Sequence, residues 1–161
     1  VKAFAVLFCL VSSVSANADS YERVYCDYYS RGSTSGYSLF RARDGVDLGN
    51  AVWSNGAEEC NQAAALANWM DEGIACARYY NRNQGTTAYS VYRIYDGQDL
   101  GNVTIADFHS CQAAVRSARR GIFCTTYMHQ GSAWWSMYDV HSGNDLGTQV
   151  YPTLDECQRR Y

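Results

Sequence analysis

Tyr89-Ser90-Val91-Tyr92-Arg93-Ile94-Tyr95-Asp96-Gly97-Gln98-Asp99-Leu100-Gly101-Asn102 decides the architecture, because the chain contains this stretch three times. The other copies run from Tyr37 to Asn50 and from Trp135 to Thr148. Ser, Gly, Asp, Leu and Gly keep their offsets in all of them: Ser38/Ser90/Ser136, Gly45/Gly97/Gly143, Asp47/Asp99/Asp145, Leu48/Leu100/Leu146 and Gly49/Gly101/Gly147. A fixed internal period identifies the folding unit before any local structure is assigned.

Working outward from the motif, each copy has one cysteine before it (Cys26, Cys76, Cys124) and one after it (Cys60, Cys111, Cys157). The early cysteine ends a β-branched and aromatic run, Val24-Tyr25-Cys26, Ile74-Ala75-Cys76 or Ile122-Phe123-Cys124, which reads as a first strand. Polar loops of varying length follow at Arg31 to Gly36, Asn81 to Thr87 and His129 to Ser132. The motif itself alternates with period two and reads as a second strand, with Ser38/Phe40/Ala42, Ser90/Tyr92/Ile94 and Ser136/Tyr138/Val140 expected on the core face. Asp44-Gly45, Asp96-Gly97 and Ser142-Gly143 then reverse the chain, glycine taking the positive φ of the turn. A third strand is expected over Leu48 to Trp53, Leu100 to Ile105 and Leu146 to Tyr151.

Beyond that strand the period becomes helical. Asp107 and Thr153 are placed as N-caps, with Gly56 and Glu59 a weaker equivalent. The helices are expected over Cys60 to Glu72, Cys111 to Arg120 and Leu154 to Tyr161, with Gly73 and Gly121 stopping the first two. The expected fold class is therefore α+β: three tandem βββα repeats, about residues 22–72, 73–120 and 121–161, in an approximately threefold arrangement. Each unit alone buries too little surface to be stable, so 19–161 is read as a single domain.

Geometry chooses among the disulfide schemes. A bridge from each helix start to the next strand would span a helix of about 15–18 Å with only about 10 Å of returning chain, whereas bridged Cα atoms lie within about 7 Å. The pairs within a unit, Cys26–Cys60, Cys76–Cys111 and Cys124–Cys157, avoid that conflict.

Val1 to Ala18 reads as a signal peptide: basic Lys2, apolar Ala3 to Val14, then Ser15-Ala16-Asn17-Ala18. It removes Cys9 and the only lysine, leaving six cysteines in a chain expected to be secreted or periplasmic, with no further membrane span. Twelve Arg against sixteen acidic residues give the mature chain a net charge of −4, which supplies no footprint for nucleic acid. The missing lysine excludes Schiff-base and P-loop chemistry.

Other catalytic patterns are also absent from the sequence. His109, His129 and His141 fall at different places in different units and form no ligand pair, so no metal and no cofactor is expected. There is no Gly-x-Ser-x-Gly elbow. The acid pairs Asp44/Asp47 and Asp96/Asp99 are read as turn caps rather than as a calcium or glycosidase site, since the first acid becomes Ser142 in the third unit. Threefold repetition resembles the organisation of lectin-type β-trefoils, but no Gln-x-Trp signature recurs and Cys111 to Arg120 reads as helix, so no family follows.

Fourteen Tyr and four Trp exceed what three small cores require, and such rings suit wet binding surfaces. The expected ligand face is the one thought to point away from the helices: Tyr37, Leu39, Arg41; Tyr89, Val91, Arg93; Trp135, Met137, Asp139. The ring and the charged group on each strand, Tyr37 with Arg41, Tyr89 with Arg93 and Trp135 with Asp139, stand about 13 Å apart along one face. The expected function is a secreted binding or adhesion module for a glycan or a cell-surface protein. Behind it stand an extracellular or envelope inhibitor acting through a loop such as Asn81 to Thr87, and a small secreted hydrolase.

Overall fold

The computed structural model describes residues 23–82, 85–101, 104–147 and 149–161. Residues 1–18, expected from the sequence to be a signal peptide, lie outside them, as does part of the loop between Asn81 and Thr87. The fold is α+β, with three antiparallel hairpins each followed by a helix. The first unit holds β1 (Val24–Arg31), β2 (Thr34–Arg41) and α1 (Glu58–Met70). The second holds β3 (Ile74–Asn81), β4 (Thr86–Arg93) and α2 (Phe108–Arg116), and the third β5 (Ile122–His129), β6 (Ser132–Asp139) and α3 (Leu154–Gln158). Alternation and β-branched content form the hairpins, whose tips are tighter than the polar runs imply. Gln130 and Gly131 both take positive φ between β5 and β6, as a primed two-residue turn requires.

The expected third strand is replaced by two isolated bridges per unit. In the first unit Phe40 pairs with Asp47 and Tyr37 with Trp53; the second and third units repeat this at Tyr92/Asp99, Tyr89/Ile105, Tyr138/Asp145 and Trp135/Tyr151. Seven residues, Asp47 to Trp53, thus run beside only four, Tyr37 to Phe40, and the surplus bulges away. The motif side chains make the bulge tolerable. Asp47 Oδ1 accepts the hydroxyl of Ser38 at 2.6 Å and the amide of Gly49 at 3.1 Å, giving a backbone donor the partner that a neighbouring strand would have supplied. Asp99 and Asp145 do the same for Gly101 and Gly147.

The helices also differ from expectation at their ends. Asp107 and Thr153 cap as the sequence indicates, accepting the amides of Ser110 at 2.9 Å and Glu156 at 3.2 Å. Ala57 precedes α1 without a side-chain cap, and Glu58 and Glu59 face the positive end of the helix dipole instead. That helix stops at Met70 because Asp71 turns left-handed, with φ 53°. Helix α2 stops at Arg116, where Ser117 Oγ turns back to the carbonyl of Ala114 and accepts the amide of Cys124 at 2.9 Å. Helix α3 ends at Gln158.

All three disulfides lie within units, with Cα separations of 5.6, 5.8 and 6.2 Å for Cys26–Cys60, Cys76–Cys111 and Cys124–Cys157. They also overturn the expectation that the other strand face, that of Leu39, Val91 and Met137, points away from the helices, while the expected core face is buried at Ser38, Ser90, Tyr92, Ile94, Ser136, Tyr138 and Val140. Cys26 stands directly across from Leu39, Cys76 from Val91 and Cys124 from Met137, and residues opposite one another share a face. The face of Leu39 and Val91 is therefore tied to the helix of its own unit rather than turned away from it, and both residues are fully buried. The second hairpin is covered on both sides: Ala88, Tyr89, Ser90, Val91 and Tyr92 are consecutive and all buried. Helix α1 lies on β1 and β3 and also packs against α2, while α2 lies on β3, β4 and β5. Each of these helices thus serves two units. No helix among the described residues is long and apolar enough to cross a membrane.

Candidate functional site

The six residues expected to bind ligand do not gather in one place. Tyr37 is half-buried and meets Tyr28 edge to face, with ring centroids 5.6 Å apart. Trp135 is half-buried beside Tyr151, whose backbone it pairs with at 2.8 Å. Arg41 forks onto Asp44 and reaches the carbonyl of Ile94 at 3.0 Å; Arg93 forks onto Asp96 and reaches that of Val140 at 3.0 Å. Asp139 accepts the amide of Ser142 at 2.6 Å, and this bond holds its carboxyl below the usual range. The charged members of the set are thus engaged in turns and in contacts between units.

Tyr89 borders an open cleft. It is 9 % exposed, its ring packs on Phe108 of α2 with centroids 5.5 Å apart, and its hydroxyl donates to Glu59 Oε2 at 2.6 Å. Burial, reinforced by the Glu59 bond, pushes its pKa up to about 12. Trp53 donates Nε1 to the same oxygen at 3.0 Å. Two donors from two different units therefore aim one carboxylate, Glu59, into a space of about 290 Å³ between units one and two.

Arg78 on β3 forms another wall of that cleft. Its guanidinium sits over the Tyr89 ring, 5.6 Å from the centroid. No carboxylate among the described residues comes within ion-pair distance of it. Its Nε is buried and has no hydrogen-bond partner. A buried donor without an acceptor is unfavourable by about 1–3 kcal/mol, and this one is closed off from the cleft as well as from any acceptor among the described residues. Asn55 and Glu58 line the rest of the space.

The equivalent junction of units two and three lacks this chemistry. Ile105, Ser110, Thr126 and Trp135 occupy the positions of Trp53, Glu59, Arg78 and Tyr89, so both charges are missing. Sequence reasoning looked for functional residues where the copies agree, whereas Glu59 and Arg78 are distinguished by where the second junction departs from the first. In a larger hollow of about 420 Å³ beside Tyr29, Arg31 and Asn50, the side chains of Asp47 and Asn50 are already engaged. Asp47 holds Ser38 there, and Asn50 clamps the backbone of Tyr80 through its side-chain amide.

Among the described residues no cluster of three His, Cys, Asp or Glu is placed to hold a metal ion. No protein-family model, curated protein or solved structure matches the chain significantly.

Proposed function

We propose that the chain is an exported, disulfide-stabilised binding module that takes a polar ligand, a glycan in the first instance, into the cleft between its first two units. The observation that carries this reading is the Arg78 guanidinium, stacked on Tyr89 with no carboxylate within ion-pair reach among the described residues, on the wall of a cleft that also displays Glu59. A sugar hydroxyl both accepts from a guanidinium and donates to a carboxylate, so one ring can satisfy both walls. A volume of about 290 Å³ suits one or two sugar rings rather than a long chain. The three units enter this reading as approximately threefold-related copies, of which one junction is specialised. Three disulfides agree with an oxidising compartment, secreted or periplasmic.

A glycan array on the mature protein identifies the probe, and titration calorimetry with that glycan tests the site. Arg78→Ala and Glu59→Gln are each expected to weaken binding about tenfold or more, the loss of roughly one charged hydrogen bond. The urea midpoint of Arg78→Ala should stay near that of the native protein, because the substitution also removes an unsatisfied donor. Native affinity in Arg78→Ala would refute the assignment of the cleft. A second reading, an interaction protein for a cell-surface or envelope partner, is favoured by Tyr25, Tyr28 and Tyr80, which stand 42, 58 and 41 % exposed along two hairpins. Substituting those tyrosines, with the cleft intact, separates the two.

A further inference from the structure

Arg41 and Arg93 each fasten their own unit to the next one. Arg41 grips Asp44 through Nε and Nη2, at 2.8 and 2.7 Å, and extends Nη1 to the carbonyl oxygens of Ile94, at 3.0 Å, and Tyr95. Arg93 grips Asp96 in the same way and extends Nη1 to the carbonyls of Val140, at 3.0 Å, and His141. The accepting carbonyls occupy one repeat position. Ile94 and Tyr95 in the second unit stand where Val140 and His141 stand in the third, and where Ala42 and Arg43 stand in the first. The latch is thus directional, with a guanidinium on one unit and a carbonyl pair on the following unit.

Both arginines are largely withdrawn from water, with side chains 8 and 13 % exposed. A guanidinium so placed needs both its carboxylate and its carbonyls, and losing either set is costly. The third unit breaks the pattern at both ends of the fork. Asp139 replaces the arginine and Ser142 replaces its aspartate partner. The turn is held locally instead: Asp139 Oδ1 accepts the amide of Ser142 at 2.6 Å, and Ser142 Oγ accepts that of Asn144 at 3.2 Å.

We infer that Asp139 ends the array, presenting a carboxylate where a further unit would require a guanidinium, and so prevents a second copy of this chain from docking its first unit there head to tail. Carboxylate oxygens would meet the carbonyls of Ala42 and Arg43 as acceptor against acceptor, with no proton between them. Such a block has a physical use, because a directional interface that does not close on itself propagates into filaments.

Two pairs of variants test this in the full chain. Asp139→Arg with Ser142→Asp rebuilds the fork. Sedimentation velocity across the micromolar to millimolar range should show a monomer for the native protein and a mass that grows with concentration for the variant. A native protein that self-associates through these ends, or a folded variant that stays monomeric, overturns the inference. The second test stays within one molecule. Arg93→Asp with Asp96→Ser copies the third unit's ending onto the second, and Arg93→Ala with Asp96→Ala merely removes the latch. Amides of β5 and β6 should exchange about tenfold faster in the first variant than in the second, with β1 and β2 unaffected in both. Equal exchange in the two variants would show that the acid adds nothing beyond a missing latch.

Discussion

The hydroxyl of Ser38 lies 2.6 Å from Oδ1 of Asp47, and this bond joins the first bridge of the unit to the bulge that follows it. Ser38 is fully buried and Asp47 is half-buried, so neither group can exchange the bond for water without opening the hairpin. Ser38→Ala leaves the carboxylate with only the Gly49 amide, and should destabilise the protein by about 1–3 kcal/mol. Urea unfolding measures it, and Ser136→Ala should behave alike because Ser136 and Asp145 also stand 2.6 Å apart.

Acid separates two groups of aspartates with opposite effects. The bonds from Arg41 and Arg93 hold Asp44 and Asp96 down at about 2, against an ordinary 3.8. Their contribution to stability is present above 3.8 and is lost as the pH falls through about 2. Burial pushes Asp47 and Asp99 up despite their bonds from Ser38 and Ser90. Their contribution is fully present below 3.8 and is lost as the pH rises through the raised values. Urea midpoints measured across this range should therefore flatten on the acid side in Asp44→Asn with Asp96→Asn. A native-like acid drop in that double variant would assign it to other groups.

Much of this architecture is legible in the sequence because the motif is redundant. Three aligned copies identify the cysteine pairs, the turn glycines and the two side-chain caps Asp107 and Thr153 without any structure. The third strand does not form as the sequence suggests, because alternation after Leu48, Leu100 and Leu146 looks the same whether the neighbouring strand or a carboxylate satisfies the backbone. The core face is legible, but the other face looks free in the sequence for a related reason: both begin apolar, and the register that sets Cys76 opposite Val91 is a tertiary fact. The cleft was hidden because Glu59 and Arg78 come from different units, and their significance lies in what Ser110 and Thr126 lack.

Gly97 has φ 74°, as Gly45 and Gly143 have 69° and 71°. Gly97→Val places a β-branched side chain in the left-handed region, at a cost of about 1–2 kcal/mol. The added Cβ would stand 3.7 Å from Leu48 Cδ2 of the preceding unit, an ordinary contact, so backbone strain dominates. A urea midpoint unchanged from the native value would remove the turn from the list of folding determinants.

Tyr89 and Trp135 occupy the same repeat position at two different junctions, which makes them a test of where binding occurs. Tyr89→Ala empties a buried site against Phe108 and should cost about 3 kcal/mol or more. Any loss of binding in that variant is confounded with unfolding. Tyr89→Phe keeps the ring and removes only the 2.6 Å bond to Glu59, which still accepts from Trp53 Nε1 at 3.0 Å. Its stability should fall by about 1 kcal/mol. A freed lone pair on Glu59 changes the wall that the ligand meets, so glycan affinity should shift measurably while the fold persists. Trp135→Ala should destabilise without altering the intrinsic affinity of the folded fraction, because Trp135 faces a junction with no equivalent of Glu59 or Arg78. Calorimetry under conditions where both variants remain folded decides between the junctions. Loss of affinity in Trp135→Ala together with native affinity in Tyr89→Phe would move the site to the second junction.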